Sequence, residues 1–225
     1  MTWTMCFTKS AVIAHSEITH ETDNALIEQN SIYNNEGFGI HIYNGYDYRS
    51  ASNNIIRFNK VYDNGKGGAA GVSPYTSGII VTSGSDNKVY NNLVWNNKQG
   101  IRADYSASNT LIYNNTIYNN AGGGDGGYCV YNGKTSSSTY IRNNICWQNS
   151  SAIVDVSGAP GVTSNNLTTV DPNFSSPTSG DFHLQAGSAA IDMGMTLVEV
   201  GPDMDGVARP QGVAYDAGAY EYRNN

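Results

Sequence analysis

Apolar and polar positions along this chain repeat as a hexad: asparagine, any residue, an apolar residue, an aromatic one, a polar one, then asparagine. The hexad occupies residues 30–35, 59–64, 92–97, 115–120 and 144–149, with leading asparagines 29, 33, 23 and 29 positions apart. Such spacings mark a repeat architecture, in which each unit buries its apolar face only by stacking on the next.

The unit with fewest insertions runs from Asn92 to Asn115. After Val94-Trp95 come Gly100-Ile101-Arg102-Ala103 and Thr110-Leu111-Ile112-Tyr113, so three short alternating segments are separated by Asn, Gly and Ser. Alternation rich in β-branched and aromatic residues predicts strands, and the turn formers leave no window long enough for a helix. The fold class that follows is all-β: a parallel β-helix solenoid with three short strands per coil.

Strand periodicity sends Ile40, Ile79, Ile101, Val130 and Ile153 inward. The other two inward columns are Ile27, Ile56, Val89, Ile112, Ile141 and Ile32, Val61, Val94, Ile117, Cys146. The leading asparagines fall at a bend, where asparagine tolerates left-handed backbone and its amide both donates and accepts. They predict a ladder of Asn30, Asn59, Asn92, Asn115, Asn144 and Asn166. The aromatic column Tyr33, Tyr62, Trp95, Tyr118, Trp147 should face outward, its rings stacking on one another or on sugar rings. A second outward column, Glu28, Arg57, Tyr90, Tyr113, Arg142, reads as a solvated face.

Outside the repeat the texture changes. Residues 1–25 read as an incomplete first coil or N-terminal cap, with a strand at 13–19, and 26–166 as the β-helix. Residues 167–225, opening with Asp171-Pro172-Asn173-Phe174, read as an irregular segment that caps the open C-terminal end of the core.

Charged residues are 14% of the chain and the formal net charge is −7. That balance argues against a nucleic-acid partner and, unless a local basic patch offsets it, against a strongly anionic ligand. No run is apolar and long enough for membrane insertion. The first nine residues lack a secretory profile, so an exported form would carry its signal upstream. Cys6, Cys129 and Cys146 are spaced neither as a disulfide framework nor as a zinc site, and Cys146 reads as a small core hydrophobe.

The Asn-x-Ile-Tyr-x-Asn and Gly-Ile-x-Ile repeats resemble those of the right-handed parallel β-helix proteins of the pectate-lyase-like superfamily, over about residues 26–166. The strings at 171–174, 180–184, 187–194, 203–212 and 216–222 are similar to the C-terminal segment of large bacterial secreted β-helix proteins. The resemblance implies an extracellular or cell-surface protein acting on a polysaccharide, as a lyase or epimerase of uronic-acid glycans. A non-catalytic carbohydrate-binding or structural module is the alternative, and a glycoside hydrolase a second. The Asn-Thr-Asp, Asp-Asp and Gly-His-Gly motifs of polygalacturonase-like hydrolases are absent, as is the Trp-Ile-Asp-His string of typical pectate lyases, so no catalytic residue transfers by motif.

By analogy the groove runs along the Gly-Ile-x-Ile strand, whose outward positions are His41, Ile80, Arg102, Tyr131, Val154 and then Tyr43, Thr82, Asp104, Gly133, Val156. β-Elimination needs a cation to neutralise the uronate and a base to take the α-proton, which suits Arg102 with Tyr131 or His41. Hydrolysis needs two carboxylates, with Asp104, Asp47 and Asp125 nearest. Tyr43, Asp47, Tyr105 and Asp125 are the expected substrate contacts, on this face and its long turns at 43–50, 65–76 and 121–127. The plain reading beside these is that Arg102 and Asp104 form a surface pair of little energetic worth and that His41 is simply exposed. No cofactor is fixed by the sequence. Ca2+ stays open, although Asp203-Met204-Asp205-Gly206 lacks the downstream glutamate of a calcium loop and reads as an Asp-Gly turn.

Overall fold

The computed structural model describes residues 23–44, 51–66, 75–122, 126–159 and 161–223, with the backbone of the short strands Thr4–Met5 and Glu17–Thr19. Among these residues the solenoid is built as three parallel sheets, one strand of each per coil. Sheet A contains Thr4–Met5, Leu26–Glu28, Ile55–Arg57, Lys88–Tyr90, Leu111–Tyr113, Tyr140–Arg142 and Val162–Ser164. Sheet B contains Ser31–Tyr33, Lys60–Tyr62, Leu93–Trp95, Thr116–Tyr118 and Ile145–Trp147. Sheet C contains Glu17–Thr19, Ile40–Tyr43, Ile79–Val81, Ile101–Ala103, Tyr128–Asn132 and Ser151–Asp155. Of the strand expected at 13–19, Glu17–Thr19 is one, and its first residues lie outside the described set.

Registers stay in step because a one-residue slip would turn every core residue to solvent. Val94 pairs with Val61 and Ile117, and Ile101 with Ile79 and Val130. All three inward columns fall in one buried cluster, with only Ile153, in the last coil, partly exposed. Each isoleucine so buried contributes about 1.5–3 kcal/mol, and their stack is the main source of stability.

The expected asparagine ladder is present. Asn30, Asn59, Asn92, Asn115 and Asn144 each donate from backbone N and from Nδ2 to Oδ1 of the next rung, at 2.8–3.1 Å, ending at Asn166. The amides both donate and accept along the ladder as expected, but the rung asparagines do not take up the left-handed backbone of the bend. The left-handed residue is the one before each rung, namely Gln29, Phe58, Asn91, Asn114, Asn143 and Asn165. The rung asparagine turns inward instead, and from Asn59 onward its Nδ2 also meets a sheet A carbonyl of the preceding coil, as Asn92 does at Ile56 O. A second ladder, Asn35, Asn64, Asn97, Asn120 and Asn149, lines the bend from sheet B to sheet C in the same way. These are the closing asparagines of the hexads, so the repeat contained both ladders.

The segment beyond residue 167 does not lie over the end of the core. It folds back along the side of the coils. Phe174, Phe182, Leu184, Ala217, Ala219 and Tyr220 pack on Leu93, Tyr118 and Ile145 of sheet B. Leu197 and Val200 cover Tyr90 and Tyr113 of sheet A, so this column is not the solvated face expected of it. Tyr33, Tyr62 and Trp95 stack face to face at 4.8 and 4.3 Å, and Trp95 in turn meets Phe182 of the tail edge-on at 5.4 Å, a structural use of the aromatic column. Asp203 is buried, and its Oδ1 accepts the backbone N–H groups of Asp205 and Val207, which makes the 203–206 stretch the expected turn.

A disulfide joins Cys129 in sheet C to Cys146 in sheet B, with Cα atoms 5.6 Å apart. Cys146 is therefore not a simple core hydrophobe.

Candidate functional site

Sheet C carries the chemistry expected of it, in a different state. In parallel register His41 faces Ile80, Ile80 faces Arg102, Arg102 faces Tyr131 and Tyr131 faces Val154. Arg102 and Asp104, two residues apart on one face, form an ion pair of 2.5 Å from Nη2, and Arg102 Nε donates to the same Oδ2 at 3.0 Å. The pair is buried, with Arg102 4% and Asp104 9% exposed, so it is not the surface pair of the plain reading. Its guanidinium lies between two phenol rings, 4.1 Å from the centroid of Tyr131 and 4.4 Å from that of Tyr75, and donates to Gln99 Oε1 at 3.3 Å. A desolvated cation between two ring faces is strongly held.

Asp104 does three things at once. Oδ2 takes Arg102, Oδ1 accepts the backbone N–H of Tyr105 at 2.8 Å, and the carboxylate occupies the space above Gly133, where a Cβ would come within 1.7 Å of Oδ1. Tyr105 is held with φ of 54°, a left-handed conformation that a bulky residue rarely adopts, and its side chain projects into solvent. Tyr75 and Tyr105 are the only exposed aromatic residues among those described, at 40% and 52%, and one ion pair touches both, at the ring of Tyr75 and at the backbone of Tyr105.

Protonation sets limits on the expected catalytic roles. Burial raises the Tyr131 phenol above its ordinary value, and the adjacent Arg102 pulls the other way without reversing it. His41, expected to be exposed, is only 8% so, and burial pushes it down to about 4. Its ring lies between Phe38 and Tyr43, with centroids 4.7 and 5.2 Å away, and its Nε2 is 3.0 Å from Thr82 Oγ1. Because the Thr82 hydroxyl donates to Ile42 O, its lone pair accepts from Nε2–H, leaving the Nδ1 lone pair buried without a partner among the described residues. Tyr43 is half-buried against this ring. Asp47 and Asp125 lie outside the described residues.

A folded pKa below the unfolded value means that neutral His41 stabilises the protein above pH 6.5, and that this stability is lost as pH falls toward 4. Between pH 7 and 4.5 the loss expected from this residue is at most about 2.5 kcal/mol. Urea unfolding of His41→Phe at the two pH values should show a correspondingly smaller difference than the parent protein; equal differences would mean that the imidazole is not held neutral.

Four contributors escaped the sequence reading: Phe38, Tyr75, Gln99 and Tyr128. Their signal is a pairing three residues apart across the Gly-Ile start of each strand. Phe38 packs on His41, Gln99 bonds Arg102, and Tyr128 meets Tyr131 at 5.0 Å. Tyr75 has no equivalent, because it belongs to the inserted turn at 65–76.

The crystal structure of pectate lyase Pel9A superposes on this chain with a TM-score of 0.46 and 13% identity, over 89% of this chain and 66% of that one. The chain thus spans just under two thirds of that protein's length, and at this likeness no chemistry transfers. No curated protein matches the sequence. A family model described as the right-handed β-helix region matches residues 10–169, and the chain belongs to that family.

Proposed function

We propose that this protein is an extracellular carbohydrate-binding β-helix whose polysaccharide-contact surface is the outer face of sheet C around Arg102 and Asp104. The observation that carries this reading is the common anchorage of Tyr75 and Tyr105. In a chain with 16 tyrosines, the two exposed rings of the described residues are attached to one buried ion pair, by ring stacking on one side and by backbone constraint on the other. A ring held beforehand, as that of Tyr75 is, or carried on a fixed backbone, as that of Tyr105 is, meets a sugar face with a smaller further loss of conformational entropy. The Cys129–Cys146 disulfide supports a location in an oxidising compartment.

Binding is favoured over β-elimination because the groups an elimination needs are already engaged. Arg102 is committed to Asp104, the Tyr131 hydroxyl is harder to ionise than an ordinary phenol, and His41 is an enclosed weak base. In this reading Arg102, Asp104 and Tyr131 are positioning residues.

Affinity electrophoresis and calorimetry on pectin, alginate, glycosaminoglycans and neutral glycans test it. Tyr75→Ala and Tyr105→Ala should each weaken the retained glycan by roughly fivefold, the equivalent of about 1 kcal/mol for one lost stacking contact. Unaltered affinity in both variants would remove the sheet C face from consideration. Unsaturated-uronate absorbance that disappears in Tyr131→Phe would restore the lyase reading.

A further inference from the structure

A cleft of about 360 Å³ opens at the bend between sheets B and C, lined among others by Gly65, Lys66, Asn96, Lys98, Asn119 and Gly122. Among the described residues no carboxylate lines it, in a chain that carries 19 acidic residues against 12 basic ones. Lys66 pairs with Asp63 at its rim. The half-buried Lys98 has no ion-pair partner among the described residues. Its stem runs between two glycines of the adjacent coils: a Cβ on Gly65 would lie 3.0 Å from Lys98 Cβ, and one on Gly122 would lie 2.2 Å from Lys98 Cγ. Side chains at either position would close the cleft. Asn119 Nδ2 donates to Asn96 Oδ1 at 2.8 Å, which fixes the Asn96 amide and leaves its own N–H groups available.

The cleft lies just before the sheet C strand that carries Arg102. The two inserted turns, 65–76 and 121–127, start in it, at Gly65-Lys66 and Ala121-Gly122. Their far ends lead onto the Arg102 group, through Tyr75 in one case and Tyr128, which follows the other, its ring tilted against Tyr131. Lys98 itself lies four residues before Arg102, with Gln99 between them bonded to the guanidinium. We infer that this cleft is an anion-accepting subsite, in which Lys98, with the Asn96 amide, receives a carboxylate or sulfate substituent of a saccharide lying on the Tyr75–Tyr105 face.

This inference rests on the glycan-binding reading and is tested so that the two fail separately. The probes are two matched pairs: an oligogalacturonate with its fully methyl-esterified form, and dextran sulfate with dextran. The parent protein should prefer the charged member of one pair by about fivefold to tenfold, as expected for one partly solvated charge-assisted contact, and which pair shows it separates carboxylate from sulfate. Lys98→Gln should abolish the preference while leaving the neutral member's affinity unchanged, and Lys98→Arg should restore it. Raised salt should reduce the preference in the parent and have no effect in Lys98→Gln. Tyr75→Ala should weaken both members of the pair alike. No charge preference in the parent, or one undiminished in Lys98→Gln, overturns the subsite and leaves the aromatic face standing. If neither member of either pair binds, both are overturned.

Discussion

Arg209→Met is expected to lower the unfolding free energy by about 3–5 kcal/mol, because it leaves buried carboxylates without their cation. Arg209 and Glu221 are paired at 2.6 Å with no side-chain surface exposed on either. The same guanidinium donates to Gly218 O, Asp216 O and Asn91 Oδ1, so one residue ties two tail strings to the coil. Glu221 in turn accepts the backbone N–H groups of Asp216 and Gln211. Asp203 and Asp216 also face the guanidinium, and burial pushes Asp216 up to about 6. Three carboxylates thus share one cation, which predicts an asymmetry: Glu221→Gln should cost clearly less than Arg209→Met, since two acidic neighbours remain for the arginine. Trp95 and Trp147 pack against the tail cluster, so urea unfolding followed by tryptophan fluorescence reports on its attachment. A loss below about 1 kcal/mol for Arg209→Met, within the range of surface pairs, would show that the tail is held by its apolar contacts alone.

The placement of the tail was the least legible part of the fold, and yet the repeat contained a sign of it. Coils three to six begin sheet B with a doublet, Asn91-Asn92, Asn114-Asn115, Asn143-Asn144 and Asn165-Asn166, whereas the first two have Gln29-Asn30 and Phe58-Asn59. The second member of each doublet turns inward to the ladder. The first, in left-handed backbone, turns outward and bonds the tail. Asn91 reaches Val200 O and Pro202 O, Asn114 reaches Asp216 O, Asn143 reaches Met195 O and Asn165 reaches Met193 O. The doublets therefore mark the coils that the tail covers.

The core columns and strand order were legible because alternation and period are properties of the local sequence, and burial depends on them directly. The candidate site was legible only in part. Spacing placed Arg102, Asp104, Tyr131 and His41 on one face, which the register bears out. Their burial was not legible, because it depends on Tyr75, from an insertion that aligns with nothing, and on Phe38 and Tyr128, one position outside the repeat as it was aligned. Counting the pair as solvent-exposed followed from treating sheet C as a bare surface.

Replacing both cysteines, Cys129→Gly with Cys146→Val, is expected to cost about 3 kcal/mol, the loop-closure contribution of a crosslink spanning 17 residues. The pair is chosen from the coils themselves. Cys129 occupies the column of Gly39, Gly78 and Gly100, and Cys146 that of Val61, Val94 and Ile117. At each of those glycines a Cβ would strike the sheet B core residue of the next coil: Val61 at 2.5 Å, Val94 at 2.7 Å and Ile117 at 2.7 Å. At the fourth such contact the chain substitutes both partners and turns the close approach into a covalent bond. Each cysteine read alone looks like a tolerated variant; only the two departures together, one coil apart, show a bridge. Restoring glycine and valine should therefore keep the packing and remove only the crosslink. Cys129→Ala with Cys146→Val should be worse by a further 1–3 kcal/mol or so, since it returns a Cβ to a site where the other coils leave no room. Thermal and urea unfolding of the two double variants decide the matter. Equal stability would mean that the glycine column is not set by contact with the coil above.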